Sequence, residues 1–116
     1  MLTRSAKNKG KRLQKEVAAM VKLHIELTSG VVLDPRDVQS NMMSEGGVDV
    51  KLSATAEKHF PYSIECKNVE KLNIWGALEQ TEANCLPNTK PLLVFRRNHA
   101  TTYVVIRAED FFKRKN

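Results

Sequence analysis

Residues 48–52 and 62–67 alternate strictly between apolar and polar side chains, and this alternation constrains the fold more than any other feature of the sequence. Successive side chains of a β-strand point to opposite faces of the sheet, so each segment is predicted to be a strand with one buried face. Asp49 lies on the polar face of the first segment, and Glu65 and Lys67 lie on the polar face of the second.

The rest of the chain supplies helices and further strands. Apolar residues recur at helical spacing from Lys11 to about residue 29, where Gly30 is expected to end a helix. The other predicted elements are strands at 31–33, 92–95 and 103–106 and helices at 72–83 and 108–113, with loops at 36–47 and 53–61. This order predicts a mixed α/β fold in which helices flank a central sheet of about four or five strands.

Length and charge limit the kind of protein. A chain of 116 residues suits one domain, here residues 1–116, with residues 1–10 expected to be a basic, partly flexible arm. The net charge of +6 favours a polyanionic partner, nucleic acid before an anionic membrane. No apolar run approaches the ~20 residues that span a bilayer, so a cytoplasmic protein is expected. Cys66 and Cys85 do not form a metal-binding or disulfide pattern and are expected to be reduced.

The charged residues of the two alternating segments need a partner. A carboxylate in the middle of a half-buried strand costs solvation free energy unless another group compensates it. If the two strands are neighbours, Asp49, Glu65 and Lys67 meet on one surface, where the two carboxylates repel each other. A divalent cation removes that repulsion, and oxygen ligands favour Mg²⁺, with Mn²⁺ as a substitute.

This arrangement resembles the PD-(D/E)XK nuclease superfamily, in which an Asp at a strand start is followed by (D/E)-x-K on the next strand. The matching residues are Gly46-Gly47-Val48-Asp49 and Ile64-Glu65-Cys66-Lys67, and Val48 stands where the pattern usually has proline. Within the superfamily the chain is most similar to the small archaeal and phage-type Holliday junction resolvases, on residues of about 7–107. Those proteins begin with a basic segment and a helix that carries a Glu, as residues 9–16 do here.

The resemblance implies a restriction-endonuclease-like fold and assigns roles to particular residues. Asp49, Glu65 and the backbone carbonyl of Cys66 would hold the metal ion, and Glu16 would complete the acidic cluster. Lys67 would orient or deprotonate the attacking water and contact the phosphate. Gln80 would hydrogen-bond near the metal or the DNA.

Other interpretations of some of these residues remain open. Glu16 could be a plain surface residue, and Glu26 is also available on the same helix. Gln80 competes with Glu79 and Glu82. Ser44 is expected to bind phosphate or to be a simple loop serine.

Basic residues in the N-terminal segment and in later loops and strands are expected to contact DNA phosphates. They are Lys7, Lys9, Lys11, Arg12, Lys15, Lys51, Lys71, Arg96 and Arg97. No zinc finger or helix-turn-helix is recognisable, which favours recognition of backbone and shape over base sequence.

The resemblance therefore predicts an Mg²⁺-dependent, structure-selective endonuclease that resolves Holliday junctions in DNA recombination and repair. Its expected partner is branched DNA, and a homodimer with two active sites matches the two strands to be cut. Two alternatives stay open: a nuclease of the same fold that acts on flaps, ends or duplex DNA, and a non-catalytic nucleic-acid-binding module.

Overall fold

The computed structural model describes residues 3–41 and 46–113, which form a five-stranded sheet with helices on both faces. In chain order the elements are α1 (Arg4–Ser29), β1 (Val38–Ser40), β2 (Val50–Leu52), α2 (Ala54–His59), β3 (Tyr62–Asn68), α3 (Ile74–Ala83), β4 (Lys90–Arg96), β5 (Tyr103–Val105) and α4 (Ala108–Phe112). The mixed α/β class and the strand number predicted from the sequence are confirmed.

The strands lie in the order β1-β2-β3-β4-β5, which is also their order in the chain. Only β3 and β4 are parallel, and the other three neighbouring pairs are antiparallel. Parallel neighbours need a crossover connection, and α3 provides it. The centre of the sheet is therefore a β3-α3-β4 unit, with β3 flanked by β2 on one side and β4 on the other.

The two faces of the sheet are covered by different helices. Ile64 and Cys66 of β3 belong to one core cluster with Leu13, Val17 and other buried residues of α1. The opposite face carries Ser63, Glu65 and Leu93, and α3 covers it. Because β4 is buried on both faces, it has the continuous apolar run that predicted it.

The first helix begins earlier than the sequence indicated. The Thr3 side chain accepts a hydrogen bond from the Ala6 backbone N–H (3.1 Å), and the helix runs from Arg4. The expectation of a weakly structured basic arm over residues 1–10 is therefore wrong for the residues from Arg4 onward. The basic side chains of this stretch project from a helix, which fixes their spacing.

Three local predictions are also corrected. Residues 31–33 are not a strand; Val32 is 90% exposed, and the Leu33 N–H donates to the Glu26 carboxylate (3.0 Å). The strand beside β2 at one edge of the sheet is β1, which lies within the segment predicted to be a loop. The connection 53–61 contains α2, whose N-terminus is capped by Ser53.

Two further expectations concern membranes and cysteines. None of the helices in the described part of the chain is long and apolar enough to cross a bilayer. Cys66 is buried, Cys85 is half-buried, and neither forms a disulfide. Burial raises the pKa of the Cys66 thiol, which keeps it protonated and unreactive.

Candidate active site

Asp49 lies directly before β2 and is held by backbone hydrogen bonds on both sides. Its N–H donates to the Ile64 carbonyl (2.9 Å), and its own carbonyl accepts from the Asn41 N–H (2.8 Å). Its carboxylate Oδ2 accepts from the Cys66 N–H at 2.7 Å. The acidic side chain is thus fixed against the middle of β3, although β2 itself begins at Val50, two residues later than the sequence predicted.

Glu65 is the buried carboxylate of the site. It is 2% exposed, at the centre of β3, and its Oε1 accepts a hydrogen bond from the Asn84 side-chain amide (2.9 Å). Burial, followed by the nearby charge of Asp49, raises the pKa of Glu65 to about 7, and the hydrogen bond from Asn84 partly opposes this. Asp49 and Glu65 are close enough to hydrogen-bond to each other, which also raises this pKa. The predicted convergence of the two acids is therefore present in the fold.

Lys67 lies two residues after Glu65 on the same face of β3 and is half-buried. Its ammonium group is near enough to lower the pKa of Glu65 through its charge. Within residues 3–41 and 46–113, Lys67 forms no ion pair with a carboxylate. Its charge therefore remains available to an anionic ligand beside the two acids.

The donor atoms present suit a hard divalent cation that keeps part of its water. In the hydrogen-bonded pairs of an antiparallel ladder, two opposite residues exchange both bonds, because the N–H and C=O of one strand residue point to the same side of the strand. Since the Cys66 N–H points to Asp49, its carbonyl faces the same side, as the resemblance implied. Among the described residues there is no group of three or more His, Cys, Asp and Glu side chains that could hold a metal. Mg²⁺ usually takes one or two carboxylates and completes its shell with water and phosphate, so this set fits it.

Glu16 does not lie with this cluster. It projects from α1, which packs on the opposite face of the sheet, and forms an ion pair with Arg96 at 2.5 Å. The spacing of apolar residues within α1 could not indicate which face of the sheet that helix covers. The structure therefore does not bring Glu16 to Asp49 and Glu65.

Gln80 is exposed on α3, one turn before Asn84. The residue of this region that contacts Glu65 is Asn84, which directly follows the helix predicted over residues 72–83. The sequence could have indicated Asn84, because it follows Gln80 by four residues and two residues at that spacing lie on one helical face. Ser44 lies outside the described residues.

The basic residues fall into two groups. Lys9, Arg12, Arg96 and Arg97 line one groove together with Arg4. The others are exposed on α1, at β2 and after β3: Lys7, Lys11, Lys15, Lys51 and Lys71. The groove has a volume of about 850 Å³ and begins at Asn68, the residue after Lys67.

Comparisons of the chain with protein-family models, with curated proteins and with solved structures find no match. Function is therefore inferred from the residues of this site and from the motif resemblance.

Proposed function

We propose that this protein is a metal-dependent DNA endonuclease that hydrolyses phosphodiester bonds at Asp49, Glu65 and Lys67. The observation that carries the proposal is the contact between Asp49 and Glu65, with Glu65 buried, its pKa raised to about 7 and Lys67 on the same face. Strongly perturbed carboxyl groups beside a specific charge partner are typical of catalytic and metal sites. The order of the motif residues supports the same assignment.

The chemistry follows from what each group offers. An Mg²⁺ ion at Asp49, Glu65 and the Cys66 carbonyl would supply positive charge to polarise a phosphate and activate water. Lys67 would hydrogen-bond to the phosphate or to the attacking water and would orient them. Asn84 would keep the Glu65 carboxylate turned toward Asp49. The water oxygen would form the new bond to phosphorus and release its proton to solvent, the bond to the leaving oxygen would break, and that oxygen would take a proton from solvent.

The proposed substrate is branched DNA, in particular a four-way junction. This part of the proposal is supported by the motif resemblance to junction resolvases and by the basic side chains around β3. A C₂ homodimer would present two active sites to the two strands of a junction. Trp75 is 74% exposed and lines an apolar cleft. Ile106 and Arg107, the two residues before α4, line the same cleft. This surface is the proposed contact between subunits.

The test is cleavage of a labelled four-way junction with and without Mg²⁺, using the wild-type protein and Asp49→Asn. We expect metal-dependent nicking by the wild type and none by the variant, because a neutral amide cannot supply the anionic ligand. Linear duplex, flap and single-stranded substrates in the same assay separate a junction resolvase from another nuclease of this kind. Mn²⁺ should replace Mg²⁺.

Two observations favour a second candidate, a nucleic-acid-binding module without catalysis. Glu65 is almost fully buried, and Glu16, the third expected acid, is paired elsewhere. If the wild-type protein binds DNA but does not cleave any of these substrates with Mg²⁺ or Mn²⁺, the endonuclease proposal is wrong and the binding module is the better conclusion.

A further inference from the structure

A polar groove of about 850 Å³ lies on the face of the sheet opposite to Glu65. One wall is the first turns of α1, and the other is the turn between β4 and β5, where His99 has a positive φ of 61°. The Asn98 N–H in this turn donates to the Glu70 carboxylate (2.8 Å), which ties the turn to the chain after β3. On the α1 wall, Lys9 pairs with the same carboxylate (3.5 Å), so both walls are tied to Glu70.

The groove is strongly cationic. Its described lining includes Arg4, Lys9, Arg12, Arg96 and Arg97 and no carboxylate. Carboxylates outside the lining pair with two of these cations, Glu70 with Lys9 (3.5 Å) and Glu16 with Arg96. The excess positive charge of the lining therefore comes from Arg4, Arg12 and Arg97, and it attracts an anion with repeated charges.

Arg96 is already oriented in this groove. Its guanidinium is paired with Glu16 and lies 3.5 Å from the Thr102 hydroxyl, and its side chain is 19% exposed. A guanidinium that is fixed before binding loses less side-chain entropy when it binds a phosphate. This gives Glu16 a role in positioning Arg96.

Asn68 adds a second requirement for the ligand. It is 8% exposed and lines the groove, and its amide nitrogen donates to the Lys9 carbonyl at 3.2 Å. Its Oδ1 is buried and has no hydrogen-bond partner within the described residues. An unsatisfied buried acceptor is costly, and it needs a donor. An ionised phosphodiester has no donor, whereas the amino groups of nucleobases do.

The groove lies close to the proposed catalytic centre. Asn68 directly follows Lys67 and is three residues from Glu65 along β3, which corresponds to roughly 10 Å at the rise of an extended strand. Each nucleotide of a DNA strand advances about 3.4 Å along the helix axis. A strand that passes over the end of β3 could therefore reach both faces within a few nucleotides.

We propose that the groove between α1 and the β4–β5 turn binds a single DNA strand a few nucleotides from the cleaved bond, with its cations on the phosphates and Asn68 on a base amino group. The position relative to the cleaved bond rests on the proposed endonuclease function. Binding of the strand in the groove does not, and it can be measured without cleavage.

The first experiment measures fluorescence anisotropy of a short labelled cytosine strand in EDTA, where hydrolysis is prevented. The groove variant is Arg4→Gln with Arg97→Gln, both exposed, and the control is Arg36→Gln with Lys58→Gln, exposed cations away from the groove. Each pair lowers the formal net charge by two, from +6 to +4. We expect the groove variant to bind roughly tenfold more weakly, with the slope of log K against log salt reduced by about 1.4. Equal affinities and slopes for the two variants would overturn the proposal.

The second experiment asks whether bases matter. An abasic strand of equal length keeps the phosphates but lacks the amino donors, and it should bind the wild type several-fold more weakly than the cytosine strand. Asn68→Leu should shrink this difference, and circular dichroism shows whether that variant folds. If the abasic strand or inorganic polyphosphate binds as tightly as the cytosine strand, the groove is only a general polyanion site and the proposal fails. Loss of binding in the groove variant together with an uncleaved junction in Mg²⁺ would reject the endonuclease but retain the groove.

Discussion

Replacement of Glu65 by Gln should stabilise the metal-free protein at alkaline pH. The Glu65 side chain accepts a hydrogen bond from Asn84 and lies within hydrogen-bonding distance of Asp49. A glutamine has the same shape, can accept from Asn84 through its oxygen and can donate to Asp49 through its amide. The variant therefore keeps the contacts and removes a buried negative charge.

The magnitude follows from the pKa of Glu65, which is about 7 in the fold against an ordinary value of 4.5. Below pH 4.5 both the folded and unfolded states hold this proton, so Glu65 causes no pH dependence there. Between 4.5 and 7 the unfolded chain releases a proton that the folded protein keeps, so the stability of the wild type falls as pH rises. Above about 7 the loss is complete, and the difference between the two pKa values corresponds to about 3 kcal/mol.

The assay is urea unfolding followed by far-ultraviolet circular dichroism in EDTA, at several pH values from about 4 to about 8. The wild type and Glu65→Gln should have similar free energies of unfolding at the acidic end, and the variant should be more stable by about 3 kcal/mol at the alkaline end. Glu79→Gln, an exposed carboxylate on α3, is the matched control and should show no such divergence. A constant difference between wild type and Glu65→Gln across this range would refute the reasoning.

Three further predictions concern catalysis, metal binding and assembly. Lys67→Ala should lower the cleavage rate by about 10²–10⁴-fold while junction affinity without metal stays within about twofold, and full activity in a single-turnover assay would contradict its role. Asn84→Ala should weaken Mg²⁺ binding measured by calorimetry by roughly 10–100-fold, whereas unchanged affinity would mean that Asn84 does not orient Glu65. Trp75→Ser should convert a dimer to a monomer in light scattering, and a dimer that persists would place the interface elsewhere.

Local patterns predicted the elements that carry the longest periodic signals. The alternation in 62–67 predicted β3, the continuous apolar run predicted β4, and both are confirmed. The same alternation put Glu65 and Lys67 on one face, and this is how the fold arranges them. The start of α1 was missed because the residues from Arg4 to Gly10 are mostly polar and have no apolar period.

The elements and contacts that depend on distant parts of the chain could not be predicted in this way. β1 has three residues, and it is a strand because β2 lies beside it, whereas the more apolar run at 31–33 has no such partner. Glu16 lies away from Glu65 because α1 packs on the opposite face of the sheet. Asn84 reaches Glu65 because α3 packs over β3. Such contacts arise from packing between elements, which sequence spacing within one element does not encode.

Glu65 is not the residue that would make the folded state most stable at this position. It is at the centre of the sheet, and its ionised form is destabilised by burial and by the charge of Asp49. A glutamine there would keep the hydrogen bond to Asn84 without that cost, and an apolar residue would add to the packing around Leu93. Residues that lower stability at such a position are typical of functional sites, where the energetic conflict is resolved when a ligand binds. Under the proposed function, a divalent cation would resolve this conflict because it would neutralise both carboxylates at once, and the neighbouring ammonium of Lys67 would then be available to an anionic substrate.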